Sequence, residues 1–203
     1  MTGAALRLSD VACLRGGRML FAGVNLTLEP GGGALLTGPN GVGKSSLLRL
    51  CAGLLPAFAG TVERSGGVAM TDERLALDGE QGLRDALCFW AKLDRAGPGA
   101  VAGALAAMAL TGLAEVPVRM LSTGQRKRAM LARVIASGAG VWLLDEPGNG
   151  LDTASLDLLG EAVAGHLAAG GVVVAASHQP LPIVAPVTLA LSDYLPTYPA
   201  DAA

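Results

Sequence analysis

The sequence predicts an α/β protein with a mostly parallel sheet at its centre, and three observations carry that reading. Short, wholly apolar runs recur at Ala34–Thr37, Val141–Leu144 and Val172–Ala176. Runs of that length without polar alternation suit strands buried on both faces. They are interleaved with stretches of helical periodicity, Ser45–Leu54 and Leu156–Ala169, and strands alternating with helices imply parallel pairing. A mostly helical block, residues 73–137, separates two β-rich parts.

In chain order, Leu6–Cys13 alternates weakly and reads as an edge strand. Gly23–Leu28 continues a hairpin-like antiparallel start, broken at Pro30-Gly31-Gly32-Gly33. Ala34–Thr37 ends at Gly38. The helix from Ser45 puts Leu47, Leu48, Leu50 and Cys51 on one side and stops near Gly53 and Pro56. Gly60–Met70 holds two short strand-like pieces around Ser65-Gly66-Gly67. Within the helical block the spacing predicts helices at Leu83–Leu93, Val101–Leu110 and Gly124–Ser137, with a loop at Gly97-Pro98-Gly99 and a boundary at Pro117. Asp193–Ala203, with Pro196 and Pro199, reads as a loose end.

The chain has 203 residues, 51% of them apolar, enough to bury a core and too many for disorder. Its formal charge is −2 and its isoelectric point about 5.6, a balance without the basic face of a nucleic-acid binder. The basic run Arg126-Lys127-Arg128 reads as a solvated helix face. Mean hydropathy is high, +0.48. A spanning helix needs ~20 mostly apolar residues. Val101–Val118 is interrupted by Gly103, Gly112, Pro117 and Glu115, so no spanning segment is expected. The first ten residues lack the pattern of a signal peptide. Cys13, Cys51 and Cys88 are scattered and form no CxxC pair, which reads as reduced thiols.

Gly38-Pro39-Asn40-Gly41-Val42-Gly43-Lys44-Ser45, followed by Ser46, matches G-x-x-x-x-G-K-[ST] at every fixed position, with a buried strand before it and a helix after it. Its glycines let backbone N–H groups converge on phosphate oxygens, and the helix N-terminus adds partial positive charge. Lys44 can reach the β- and γ-phosphates, and the Ser45 hydroxyl can bind Mg²⁺. Val141–Leu144 ends in Asp145-Glu146, one carboxylate for the metal and one to polarise an attacking water. Lys44 and Asp145 can meet only if two neighbouring strands bring them to the same sheet edge. Leu121-Ser122-Thr123-Gly124-Gln125 opens the helix after it, and a Ser hydroxyl with a Gly N–H at a helix start makes a second anion site. Because Lys44 already serves one γ-phosphate, this second cradle makes sense if it serves the nucleotide of another copy.

At this point the sequence resembles the ABC-transporter ATPase family. LSTGQ stands for that family's LSGGQ-like signature, with Thr123 replacing a glycine; Leu151-Asp152 matches the end of the loop after the acidic strand; His178 matches the switch histidine after a buried strand. The resemblance covers almost the whole chain, so residues 1–203 are expected to form a single ABC ATPase domain. It implies two subunits sandwiching two ATPs head to tail. Each ATP would touch the phosphate loop of one subunit and Ser122, Gly124 and Gln125 of the other. Glu146 would be the general base, His178 would contact the γ-phosphate and Asp152 would couple the two sites. His166 matches no motif and reads as an ordinary, partly exposed histidine.

Two departures stand out. Where the family has an aromatic residue that stacks on adenine, this chain has Arg15, whose guanidinium can also stack on a planar base. The family's strand-ending glutamine, which senses Mg²⁺ and the membrane partner, should fall near Thr71–Arg74. Glu73 occupies or adjoins that place, and Gln81 is a poorer match.

The short chain, Arg15-Gly16-Gly17-Arg18 and Ser177-His178-Gln179-Pro180-Leu181 are similar to one subfamily, the ATP-binding subunits of the heme exporter of cytochrome c maturation. That resemblance implies a peripheral protein on the cytoplasmic face of a bacterial inner membrane, paired with a membrane-spanning permease and driving heme delivery without binding heme. Ala86–Lys92, with Cys88, Phe89 and Trp90, would lie in the groove that receives the permease. The alternatives are an ABC ATPase with a different cargo, a non-transport ABC ATPase and a P-loop kinase or GTPase. LSTGQ and the placement of His178 argue against the last of these.

Overall fold

In a computed structural model, the residues described are 3–71, 76–178, 181, 183 and 186–196. Three strands, β1 (Ala5–Arg15), β2 (Arg18–Leu28) and β4 (Ala59–Ser65), form an antiparallel sheet in the order β2-β1-β4. β1 is therefore central, not the edge strand its weak alternation predicts. Its Leu6, Leu8, Val11 and Cys13 are buried on one face, and the irregular register with β2 blurs the period that a sequence reading relies on.

The second sheet is wholly parallel. It runs β5 (Val68–Met70), β6 (Val141–Asp145), β7 (Val172–Ala176), β3 (Gly33–Thr37) and β8 (Val187–Ala190). Its central strands β6, β7 and β3 are apolar up to their C-terminal ends because each side of the sheet faces a separate core. Val141, Leu143, Val172, Val174 and Leu36 pack with helix α1 (Lys44–Ala52) and the antiparallel sheet. Trp142, Leu144, Val173 and Ala175 face the other way, toward the remaining helices. At about 25 cal/mol per Å² of apolar area removed from water, this double burial fixes the strands more firmly than local propensity could.

The helical block lies between β5 and β6. It holds α2 (Leu83–Leu93), α3 (Ala100–Ala107), two 3₁₀ turns (Thr111–Leu113 and Val118–Met120) and α4 (Thr123–Ala136). Helix α5 (Thr153–Ala168) joins β6 to β7. α1 stops two residues before the predicted Leu54, because Gly53 takes φ 75° and its N–H and that of Leu54 bond back to Leu50 and Arg49 carbonyls. The basic run on α4 is not simply a solvated face: an Arg126 guanidinium N–H donates to the Arg119 carbonyl, and Arg128 donates to the Met108 and Ala109 carbonyls at the end of α3. His166 is half-buried, stacked on Trp142 at 3.8 Å between ring centroids and bonded to the Gly140 carbonyl; burial lowers its pKa. Among the described residues no helix is long and apolar enough to cross a membrane.

Candidate functional site: a phosphate cleft at the sheet edge

Three adjacent parallel strands, β6, β7 and β3, deliver their C-terminal ends to one edge. β7 lies between the other two, so the strands carrying Asp145 and the phosphate loop are not neighbours as the sequence reading requires. The intervening strand is what supplies His178. Ligands of open parallel sheets gather outside such carboxyl ends.

The loop 38–43 turns from β3 into α1. Gly43 sits at φ 115°, and a Cβ there would come within 3.0 Å of the buried Phe21 ring, so only glycine fits. Lys44 starts the helix and is only 7% exposed. Its ammonium donates to the Gly38 carbonyl at 2.9 Å and the Pro39 carbonyl at 3.4 Å, and lies 2.9 Å from His178 Nε2. That nitrogen is also 2.7 Å from Asn40 Oδ1 and 3.5 Å from Glu146 Oε1. Nε2 therefore sits among one cationic donor, Lys44, and two oxygens, and which of them it bonds depends on which ring nitrogen carries the proton. Lys44, His178, Asn40 and Glu146 thus form one polar cluster over the loop.

Glu146 is held by its backbone in an unusual way. Its φ is 45°, rare for a residue with a side chain, while its N–H donates to the Ala176 carbonyl at 2.9 Å. Strain of this kind costs roughly 1 kcal/mol or more and gathers at functional sites, where the surrounding fold enforces it. The result carries the Glu146 carboxylate across to β7, where Oε2 accepts from the His178 N–H at 3.4 Å.

Leu20, Asn40, Gly41, Gly43, Lys44, Ser45, Ser46, Asp145 and Glu146 line a cleft of about 250 Å³. Ser45 and Asp145 therefore face the same space, and a hydroxyl with a carboxylate is a hard-oxygen donor pair suited to Mg²⁺, which keeps most of its own waters. Arg15 is exposed at the tip of the β1–β2 hairpin and is not among the lining residues. Leu20 is, and sequence reasoning missed it: one apolar residue in a strand gives no signal of its own.

None of residues 121–125 lines this cleft. Ser122 caps α4. Its Oγ accepts from the Gln125 N–H at 3.3 Å and its N–H donates to Gln125 Oε1 at 2.8 Å, a complete capping box. Among the described residues, nothing outside Gly124's own helix turn and chain neighbours lies within 4 Å of where its Cβ would stand. Asp152 caps α5, its Oδ1 accepting from the Ser155 N–H at 2.9 Å. Hydrogen bonds from Ser155, side chain before backbone, hold its carboxyl below the usual carboxylate range. Glu73 lies outside the described residues. Gln81 is exposed and remote from the cleft-lining set.

A parallel sheet that feeds a phosphate loop, an Asp-Glu strand end and a histidine to one edge, with a capped signature helix outside the cleft, defines an ATP-binding cassette. The chain belongs to the ABC transporter family, as its ATP-binding, ATP-hydrolysing component; the family model matches residues 21–149. It is 56% identical over 189 residues to a cytochrome c biogenesis ATP-binding export protein CcmA from Novosphingobium aromaticivorans, covering 93% of this chain and 96% of that one. A protein of the same description from Zymomonas mobilis is 51% identical over 192 residues, covering 95% and 86%. Among solved structures, an ABC transporter ATP-binding protein from Pyrococcus furiosus superposes with a TM-score of 0.83 at 22% identity, covering 95% of this chain and all of that one. A metal-chelate type ABC transporter in an inward-facing conformation gives 0.76 at 26% identity, covering 93% and 80%.

Proposed function

We propose that residues 1–203 act as one ABC ATPase domain, with a helical insertion at about 73–137, in an export complex that serves cytochrome c maturation by moving heme. The geometry supports ATP hydrolysis split between two copies. The phosphate loop, Lys44 and Glu146 line one cleft with His178 bonded to them, while Ser122, Gly124 and Gln125 stand at a capped helix N-terminus outside it, with open space around Gly124 among the described residues. That separation is the observation that carries the reading. The cargo rests on the relatives, which are cytochrome c biogenesis ATP-binding export proteins.

In this mechanism ATP lies along the loop 38–46, with backbone N–H groups on its phosphates and Lys44 on the β- and γ-oxygens. To reach the γ-phosphate, Lys44 gives up its contact with His178 Nε2, and the freed imidazole turns to the same phosphate. Ser45 and Asp145 would hold Mg²⁺, which would supply charge neutralisation for the phosphates. Glu146 accepts the proton of the attacking water. Ser122, Gly124 and Gln125 of a second copy cover the γ-phosphate, Asp152 links the two sites, and Arg15 stacks on the adenine.

A membrane-spanning permease completes the complex, with this chain peripheral on the cytoplasmic face of the inner membrane. The groove it would use is lined by Ala52, Leu54, Val68, Ala69, Met70, Asp94 and Arg133, with Leu54 72% exposed and Phe89 on α2 55% exposed. Trp90 is a less clean probe of docking than the sequence suggests. It donates to the Ala76 carbonyl and lies 4.2 Å beneath the Arg133 guanidinium, so its loss also disturbs the fold. The subunit supplies energy without touching heme; stoichiometric heme binding by the isolated chain, lost on one substitution, would contradict this.

The test is a gene deletion scored by heme staining of c-type cytochromes. Covalent heme is expected to disappear, and to return with the wild-type chain but not with Lys44→Ala. Normal cytochromes in the deletion would reject the cargo and leave the ATPase.

A further inference from the structure

Strand β5 stops at Met70, yet β6 runs on to Asp145. The ladder between them pairs Val68, Ala69 and Met70 with Val141, Trp142 and Leu143. One more regular bond follows, from the Thr71 N–H to the Leu143 carbonyl at 2.9 Å. The next donor along this edge is the Asp145 N–H. A continued strand would meet it with the carbonyl of residue 71. Here it donates to the Thr71 hydroxyl, at 2.9 Å. The side chain thus does the work of the strand and lets the backbone leave the sheet one residue early.

Thr71 is well placed to hold its neighbour still. It is 4% exposed, one of five polar or charged residues buried among those described. A buried hydroxyl is committed to its partners, since leaving them unpaired is costly. The residue before it is tied as well: Arg133 Nη1 of α4 donates to the Met70 carbonyl at 3.4 Å. Thr71 is therefore pinned by Leu143, Asp145 and the anchored Met70. On its other side Asp145 is followed by Glu146, whose N–H is held by Ala176 of β7. The two acids sit between two fixed points, one of which is a side chain.

We propose that Thr71 is a positioning residue for the ATPase reaction. Through its hydroxyl it fixes the backbone of Asp145, and so aims the Asp145 carboxylate at the Mg²⁺ that accompanies ATP. This rests on the assignment of Asp145 to the metal made above. Thr71 touches neither nucleotide nor metal in this scheme. Because the hydroxyl is the acceptor, serine can replace threonine and valine, of the same shape, cannot.

The experiment compares wild type, Thr71→Ser, Thr71→Val, Thr71→Ala and Asp145→Asn in two readouts that do not depend on turnover. The first is hydrogen exchange at the Asp145 amide by NMR. Its protection is expected to fall at least ~10-fold in Thr71→Val and Thr71→Ala and to stay near wild type in Thr71→Ser. The second is the Mg²⁺ concentration that half-saturates tightening of a non-hydrolysable ATP analogue. It is expected to rise roughly tenfold in the valine and alanine proteins, with affinity for the analogue in EDTA unchanged. Unchanged Asp145 protection in both Thr71→Val and Thr71→Ala, or a Thr71→Ser protein as impaired as they are, would overturn the proposal. A raised Mg²⁺ requirement in Asp145→Asn beside a normal one in Thr71→Val would reject Thr71 alone. A normal requirement in Asp145→Asn would reject the metal assignment and the proposal with it.

Discussion

The sheet edge and the N-terminus of α4 are the two proposed anion sites, and they are built in opposite ways. At the edge, the side chains are already engaged with one another: Lys44 with His178, His178 with Asn40 and Glu146. A phosphate entering there exchanges partners with groups that are already ordered by one another, around the buried Lys44. At α4, the Ser122 and Gln125 side chains bond each other's backbone N–H groups, and Gly124 faces open space among the described residues. The first site is specified by three strands and a core; the second by four residues and a helix dipole. The difference teaches how labour is divided. On the proposed mechanism, the edge would bind nucleotide alone, whereas the signature would act on a phosphate brought to it by another chain.

The largest break in that comparison comes from the edge. Lys44→Ala should remove ATP binding, by at least ~100-fold in Kd, because the phosphates lose their one buried cation. Calorimetric titration of the purified chain reads this, and wild-type affinity would refute the role of Lys44. Glu146→Gln should keep binding but lose at least ~100-fold in turnover, about 2.7 kcal/mol of barrier, while accumulating an ATP-bound dimer. Normal phosphate release in that protein would remove the base. At the signature the expected losses are smaller and separable. Ser122→Ala should cost about 1 kcal/mol of stability as a lost cap, whereas Ser122→Gly should cost only a few tenths. If the hydroxyl serves the partner's ATP, both should lower turnover similarly, so activity that tracks thermal stability across the pair would reduce Ser122 to a cap.

The smallest effects belong to the titratable groups. The Asp152 carboxyl is held below its unfolded value by Ser155. A depressed carboxylate contributes stability that is present above the unfolded pKa of about 3.9 and lost as pH falls through the folded one. Asp152→Asn should therefore flatten the acid side of a stability-against-pH curve below about pH 4 and leave neutral stability little changed. Among the thiols, burial pushes Cys51 up to about 12 and also raises Cys13. A thiol reagent on the native protein should find Cys88 first, and equal labelling of all three would indicate an open fold.

Much of this was legible in the sequence, and the failures have physical causes. The apolar runs at Val141–Leu144 and Val172–Ala176 announce strands buried on both faces, and Leu83–Leu93 reads correctly from its own periodicity. The phosphate loop and the signature are local patterns, so the residues themselves carry them. Strand order is not local: nothing in the runs says that β7 separates β6 from β3. β8 went unread because Val187–Ala190 is four residues long, follows Pro180, Pro182 and Pro186, and buries only Leu189 well. Thr71 gave no signal, because a lone threonine becomes important only through where β5 stops.

The central claim is that the cleft and the signature serve one ATP from two chains. It is tested most directly by sedimentation of Glu146→Gln with and without Gly124→Asp in the presence of ATP. The aspartate fits its own chain, having open space and a helix N-terminus that favours negative charge. It would face a phosphate only across the dimer. The prediction is that Glu146→Gln dimerises with ATP, and that adding Gly124→Asp abolishes the dimer while each monomer binds ATP as before. A double mutant that still dimerises, or one that loses ATP binding as a monomer, would contradict a divided site.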